Sequence, residues 1–302
     1  IIMYKIFGFY KFKKIKNIKL LKKNLKNFIE EEEVRGTIII SIEGINGTIS
    51  FKPTKYKKVK NKILNLLNIR KLDNENISYY KYQAFKKGKI KIKKEVVPIG
   101  MKLNKIVTKN KIEPKDWNKF ILKKETVLID TRKNFEFKVG TFKGSINPEL
   151  NNFRDFPRYF KTLKKNQNIG MFCTGGIRCE KASAYLKKKG FKNVYQLNGG
   201  IINYLNVIDK KKSMWKGDCF VFDNRVSVKH GLKPGNLKIC AGCREPISRS
   251  EIKSNKYEEG VTCPNCFSLL SEDQKKRFRM RQQQIQIQKK LGKKYFYQRE
   301  FK

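Results

Sequence analysis

The sequence predicts a multidomain chain that joins an α+β unit to an α/β unit and ends in a small cysteine-rich region. Three observations predict it. Before residue 105 apolar residues alternate between periods of two and of three to four, in the order strand, helix, strand, strand, helix, strand. From about residue 113 to 210 strands and helices alternate one by one, the pattern of a parallel sheet flanked by helices. Two Cys-x-x-Cys pairs then follow. A chain of 302 residues has room for three such units, expected at 1–108, 109–211 and 212–302.

The first segment opens with strand-like "YKIFGFYKF". Residues 16–31 carry Ile18, Leu21, Leu25 and Phe28 at helical spacing. "GTIIISIEGINGTISF" reads as two strands reversing at "EGING", where glycines permit a tight turn. A second helix sets Val59, Ile63, Leu66 and Leu67 on one side, and "KIKIKKEVV" reads as the closing strand. That order is the ferredoxin-like or acylphosphatase-like sandwich. Glu43, Asn46 and the Gly44/Gly47 pair are either an RNA or substrate contact or, the favoured role, a plain hairpin.

In the second segment "EPKDWNKFILKKE" is a helix with Trp117, Phe120 and Ile121 on one face. "TVLIDTR", "NIGMFC" and "NVYQL" are buried strands, and residues 179–189 form a helix. Phe153, Phe156 and Phe160 have helical spacing, but Pro157 is expected to distort or end a helix there. Sites in parallel sheets lie at the carboxyl ends of the strands, which is where Cys173 falls.

No apolar run is long enough to cross a bilayer, and the opening residues lack the basic region and cleavage site of a signal peptide. A cytoplasmic protein is expected. Lys and Arg number 71 against 26 acidic residues, a net charge of +45. Such an excess attracts RNA. Lysine, asparagine and isoleucine are inflated together, however, and AT-rich coding explains the charge about equally well. Seven cysteines in this setting point to metal or redox chemistry before disulfides.

The stretch "MFCTGGIRCEKASAYL" places Cys173 at the mouth of a short loop. A cysteine nucleophile usually has a histidine base, yet the only histidine, His230, lies far along the chain. Gly175 and Gly176 let the backbone of Thr174, Gly175, Gly176 and Ile177 curl its N–H groups towards the sulfur. The helix expected from about Cys179 points its positive end the same way, and Arg178 adds a full charge. Fixed dipoles thus replace the base and favour a thiolate. Four residues between Cys173 and Arg178 make a ring tighter than the five of cysteine phosphatases, better suited to a persulfide than to a phosphoryl group. Cys179 is either a resolving thiol or, preferred, a small packed residue. Asp130 and Arg132 are expected to brace the loop as an ion pair, with phosphate contact by Arg132 the alternative.

Cys240, Cys243, Cys263 and Cys266 have the spacing of a four-thiolate site, structural zinc being preferred to an iron–sulfur cluster or free thiols. Cys219 reads as a core residue and His230 as a surface or hydrogen-bonded one in preference to a metal ligand. Ser271 and Gln274 form a capping box opening a basic, Gln-rich helix, read as solvated in preference to RNA-binding.

"CTGGIR" matches the Cys-x-x-Gly-x-Arg active loop of rhodanese domains, "LIDTRKNFEFKVGTFKGSINP" resembles their opening motif, with Asp130, Arg132 and Glu136 in the expected places, and "LNGGI" resembles their closing one. Thr141 departs from the histidine often found after the opening-motif glycine. With "EGINGT" before this domain and "GDCFVFDNRVSV" after it, nearly the whole chain resembles the rhodanese-related tRNA uridine hydroxylase (TrhO) family. The resemblance implies an acylphosphatase-like domain before a rhodanese domain. It also implies oxygen-dependent hydroxylation of the wobble uridine, position 34 of tRNA, to 5-hydroxyuridine, with Cys173 as the catalytic, persulfide-forming cysteine. The implied partner is the anticodon arm of tRNA, not DNA or a membrane. Molecular oxygen and an unidentified electron donor are required; the sequence carries no haem or flavin signature, and one histidine cannot build the usual non-haem iron site. A sulfurtransferase delivering persulfide sulfur to tRNA or a small thiol uses the same loop and is the alternative; a binding-only adaptor has no need of an intact nucleophile.

Overall fold

The computed structural model describes residues 3–101, 106 and 110–292; the expected boundary at 108/109 lies outside them. The chain forms two compact units, one of residues 1–223 with 228–233 and one of 224–227 with 234–302.

The first unit begins with β1 (Tyr4–Phe12), α1 (Ile18–Glu31), β2 (Arg35–Ser41), β3 (Gly44–Phe51), α2 (Tyr56–Leu67), β4 (Asn74–Tyr80) and β5 (Gly88–Ile92). The sheet order is β4-β1-β3-β2-β5, with β5 parallel to β2 and the other pairs antiparallel. Asn17 caps α1 by accepting from Leu20 N–H. Leu21, Leu25 and Phe28 of α1 and Val59, Ile63 and Leu67 of α2 cover one face of the sheet with Phe7, Phe9 and Ile38. The period-two reading of β1 places Tyr10 on the other face, in register with Asn46 and Asn74.

Two sequence expectations are corrected. The reversal after β2 is made by Ile42 and Glu43 alone, because Gly44 already pairs with Phe12. The strand that completes the βαββαβ order is β4, not "KIKIKKEVV", which supplies the added strand β5. "NENISYY" escapes notice because its first four residues are polar or only half-buried, which masks the alternation.

The parallel sheet has order β6-β10-β9-β7, from β6 (Lys111–Ile112), β7 (Thr126–Asp130), β9 (Asn168–Phe172) and β10 (Val194–Leu197). Between them lie α3 (Pro114–Ile121), α4 (Asn134–Val139), β8 (Gly140–Phe142), α5 (Phe156–Tyr159), α6 (Ile177–Lys188) and, after β10, α7 (Gly200–Val207). Alternation puts Ile129 and Met171 in one core layer and Leu128 and Phe172 in the other. Pro157 sits at the start of the short α5, where its missing N–H costs nothing. The unit continues past residue 211 because β11 (Trp215–Gly217) pairs with β8 and buries Trp215 against Phe142.

The N-terminal sheet and the parallel sheet are joined by a buried cation. Lys181 of α6 has no exposed side chain, and its Nζ contacts Glu43 at 2.9 Å, Glu95 at 2.5 Å and the Val97 carbonyl at 2.8 Å. Glu43 also accepts from Val96 N–H. Glu43 is therefore an anchor between the two sheets and not a free RNA contact.

In the second unit, Lys238–Ile239 pairs with Pro246–Ile247. The helix Glu272–Lys290 is capped by Ser271 and Gln274 as the sequence indicates. It is no free tail: Arg281 donates to the carbonyls of Ala241 and Gly260, tying the helix to the first cysteine pair. Among the described residues no helix is long and apolar enough to cross a membrane.

Candidate active site

Because β7, β9 and β10 are parallel, their carboxyl ends meet at one edge and bring Asp130, Cys173 and Asn198–Gly200 together. Cys173 follows β9 directly and is 1% exposed. Gly176 adopts φ +91°, which L side chains rarely reach, and turns its N–H onto Cys173 Sγ at 3.1 Å. Helix α6 starts at Ile177, two residues before the sequence expectation, so Arg178 and Cys179 lie in its first turn. The carbonyls of Cys173 and Thr174 point the opposite way and accept from Ile201 and Ile202 N–H, each at 3.0 Å. This docking leaves no room at Gly200, where a Cβ would stand 2.5 Å from the Cys173 oxygen.

Burial pushes the Cys173 thiol up. The Cys179 S–H, the Arg178 guanidinium and the backbone N–H groups of Cys179 and Arg178 overcome that and hold it well below the ordinary thiol range. Cys179 moves the other way, raised by burial and by the neighbouring sulfur, so the pair shares one proton with the charge on Cys173. Cys179 also contacts Thr131 Oγ1 at 3.6 Å. Burial pushes the Cys219 thiol up to about 12, as suits a core residue.

The ion pair expected of Asp130 and Arg132 forms, but it braces β7 against β8 and not the loop directly. Asp130 and Arg132 are both fully buried and pair with each other at 2.6 Å. Arg132 further donates to the Gly140 carbonyl, and Thr141, in the histidine position, donates to Asp130 at 2.9 Å. The pair thus staples β7 to β8 beside the loop, and its burial removes Arg132 from any phosphate contact. Glu136 is the loop's own partner. It takes both Arg178 nitrogens, at 2.7 and 3.0 Å, and lies 3.4 Å from the Thr174 hydroxyl. Its spacing from Asp130 in the opening motif is visible in the sequence, but nothing local shows that it faces a residue 42 positions away.

Burial alone would raise the Glu136 carboxyl, but Arg178 outweighs it and holds the pKa below the usual range. Glu136→Gln is expected to cost about 3–5 kcal/mol, because Arg178 loses its charge partner. A depressed carboxyl stabilises above its unfolded value of about 4.3 and loses that as pH falls. The stability of the parent protein should therefore drop on acidification more steeply than that of the variant, measured by urea midpoints against pH.

In the second unit Cys240, Cys243, Cys263 and Cys266 place their sulfurs within 4.8 Å of one another. The closest pairs are 3.7 to 3.8 Å apart. Four sulfurs at ~2.3 Å from a central zinc would be ~3.8 Å apart, so the donor set fits a tetrahedral metal. His230 belongs to the first unit and is half-buried.

Residues 4–96 match the UPF0176 acylphosphatase like domain and residues 113–206 the rhodanese-like domain. A tRNA uridine(34) hydroxylase from Pelagibacter ubique (strain HTCC1062) is 57% identical, over 99% of this chain and all of that one. The chain belongs to the tRNA uridine(34) hydroxylase family. Its likeness to the hydroxylase of Teredinibacter turnerae (strain ATCC 39867 / T7901), 38% identical over 96% of this chain and 91% of that one, spans both domains and the cysteine-rich region. In this tRNA uridine(34) hydroxylase family member the first domain is acylphosphatase-like, the second is rhodanese-like, and a four-cysteine cluster follows.

Proposed function

We propose that this chain hydroxylates uridine 34 of tRNA at C5, as an oxygen-dependent oxidoreductase of the monooxygenase type acting in the cytoplasm, with Cys173 as its catalytic residue. The observation that carries this is the Cys173 sulfur, held 3.1 Å from the Gly176 N–H at the N-terminus of α6. The thiolate, or a persulfide whose outer sulfur extends ~2 Å further out of its buried position, adds to C6 of uracil. Addition leaves C5 electron-rich towards an activated oxygen. One oxygen atom of O2 enters at C5 and the other leaves as water, taking two electrons and two protons from a donor. Loss of the C5 proton and expulsion of sulfur from C6 restore the double bond. The base must leave its stack to reach the loop.

Basic residues on the N-terminal domain support an anticodon-arm partner. Lys19, Lys22, Lys23 and Lys26 of α1 line a groove beside the edge strand β5, and Lys89 and Lys91 extend it, with Glu30 the acid along it. Such a row suits a phosphate backbone. The cysteine cluster supports a structural zinc, since four thiolates leave no open position for substrate.

A sulfurtransferase would use the same loop but has no need of the first domain or the cysteine-rich region. Nucleoside mass spectrometry on tRNA from a deletion strain decides. Loss of 5-hydroxyuridine is expected; loss of a thiolated nucleoside instead selects the sulfurtransferase.

A further inference from the structure

The helix-free face of the N-terminal sheet is turned towards the cysteine loop. Tyr10 of β1 donates to Glu180 of α6 at 2.8 Å, and its hydroxyl lies 3.3 Å from where a Gly176 Cβ would stand. In register beside Tyr10 on β4, Asn74 donates through Nδ2 to the Gly175 carbonyl at 3.1 Å. Two residues on, Asn76 donates to the Gly199 carbonyl at 3.4 Å.

The Asn74 contact falls on one particular amide. The Gly175 carbonyl belongs to the peptide unit whose N–H is that of Gly176, and that N–H is the donor to Cys173 Sγ at 3.1 Å. The described peptide bonds contain no cis unit, so the carbonyl and N–H of this amide point in opposite directions. One face of the amide is taken by Asn74 and the other by the sulfur. A peptide between two glycines turns over easily, because neither residue has a Cβ to restrict it. Turned over, the same amide would aim its carbonyl dipole at the sulfur and disfavour an anion there. Hydrogen bonds in a chain also polarise one another, so the Asn74 donor strengthens the N–H beyond it.

We propose that Asn74 is a positioning residue: it holds the Gly175–Gly176 amide with its N–H on Cys173, so that the N-terminal domain completes the nucleophile's cradle. This rests on the reading of Cys173 as nucleophile and adds why the first domain accompanies the loop. Asn74 itself does not touch Cys173. Among the described residues, the titratable groups that interact with that sulfur include Cys179 and Arg178 of α6 and Tyr10 of β1, with Glu136 beside the loop on Arg178; all are retained when Asn74 is changed.

The test uses the full chain with Asn74→Ala and the near-isosteric Asn74→Leu, the second covering a folding failure of the first. Alkylation of Cys173 by iodoacetamide is followed by peptide mass spectrometry from pH 5 to 9. Both variants are expected to shift the alkylation midpoint upward by about one pH unit, the scale of one hydrogen bond to a charged group. Their hydroxylation of tRNA should fall near pH 6.5 and recover as pH rises, a rescue that a purely structural defect would not give. Alkylation profiles coincident with the parent in both variants overturn the proposal. A Cys173→Ser protein that still hydroxylates would instead overturn the reading of the nucleophile, whatever the Asn74 profiles show.

Discussion

Cys173→Ser is expected to leave tRNA bound while 5-hydroxyuridine falls below detection at every pH tested. The replacement is smaller and keeps a hydrogen-bonding atom opposite the Gly176 N–H, so the loop and its docking on α7 should persist. The chemistry should not. The same amides, helix terminus and guanidinium that lower a thiol from about 8.5 have far too little field to ionise an alcohol at neutral pH. Serine also forms no persulfide. In the parent, alkylation of Cys173 should continue below the ordinary thiol range, since a depressed thiol loses its charge only at lower pH. Hydroxylation measured on purified tRNA with the serine variant checks this directly; retained product removes Cys173 from the mechanism.

For the structural zinc proposed at the four cysteines, chelation should have the largest effect on stability. Among the described residues, four buried or half-buried sulfurs form its core cluster with Ile247 and a few partly buried neighbours, and Val261 is buried nearby, an apolar content too small to hold this segment. A structural zinc contributes apparent binding energies of about 10–16 kcal/mol, which become folding energy where the apo segment is unfolded. Chelation, or Cys263→Ser, should therefore release the Arg281 anchor on Ala241 and Gly260 and melt the helix Glu272–Lys290. Hydrogen exchange should show protection lost there and kept in the β6–β10 sheet. Full protection of that helix in metal-free protein would contradict a metal-dependent unit.

Much of this was legible locally. The apolar spacing of α1 and α2, the capping box at Ser271 and the buried strands of the parallel sheet follow from side chains within a few positions of one another. The strand β4 was not legible, because Asn74 and Asn76 face loop carbonyls and not a lipophilic core, so their polarity reads as turn. Glu136 stood in plain sight within the opening motif, yet its partner is set by how β7 and β9 are neighbours. Lys181 reads as one lysine among many until Glu43 and Glu95 are folded against it.

The residues themselves mark which sulfur is the candidate nucleophile and which four can hold a metal, since glycine freedom, helix ends and Cys-x-x-Cys geometry act over a handful of residues. Tertiary structure alone decided what faces those groups: Glu136 on Arg178, Asn74 on the Gly175 carbonyl and Lys181 between two carboxylates. Such pairings join positions 42 to 138 apart in the chain. They depend on the packing of whole sheets, which no short-range pattern encodes.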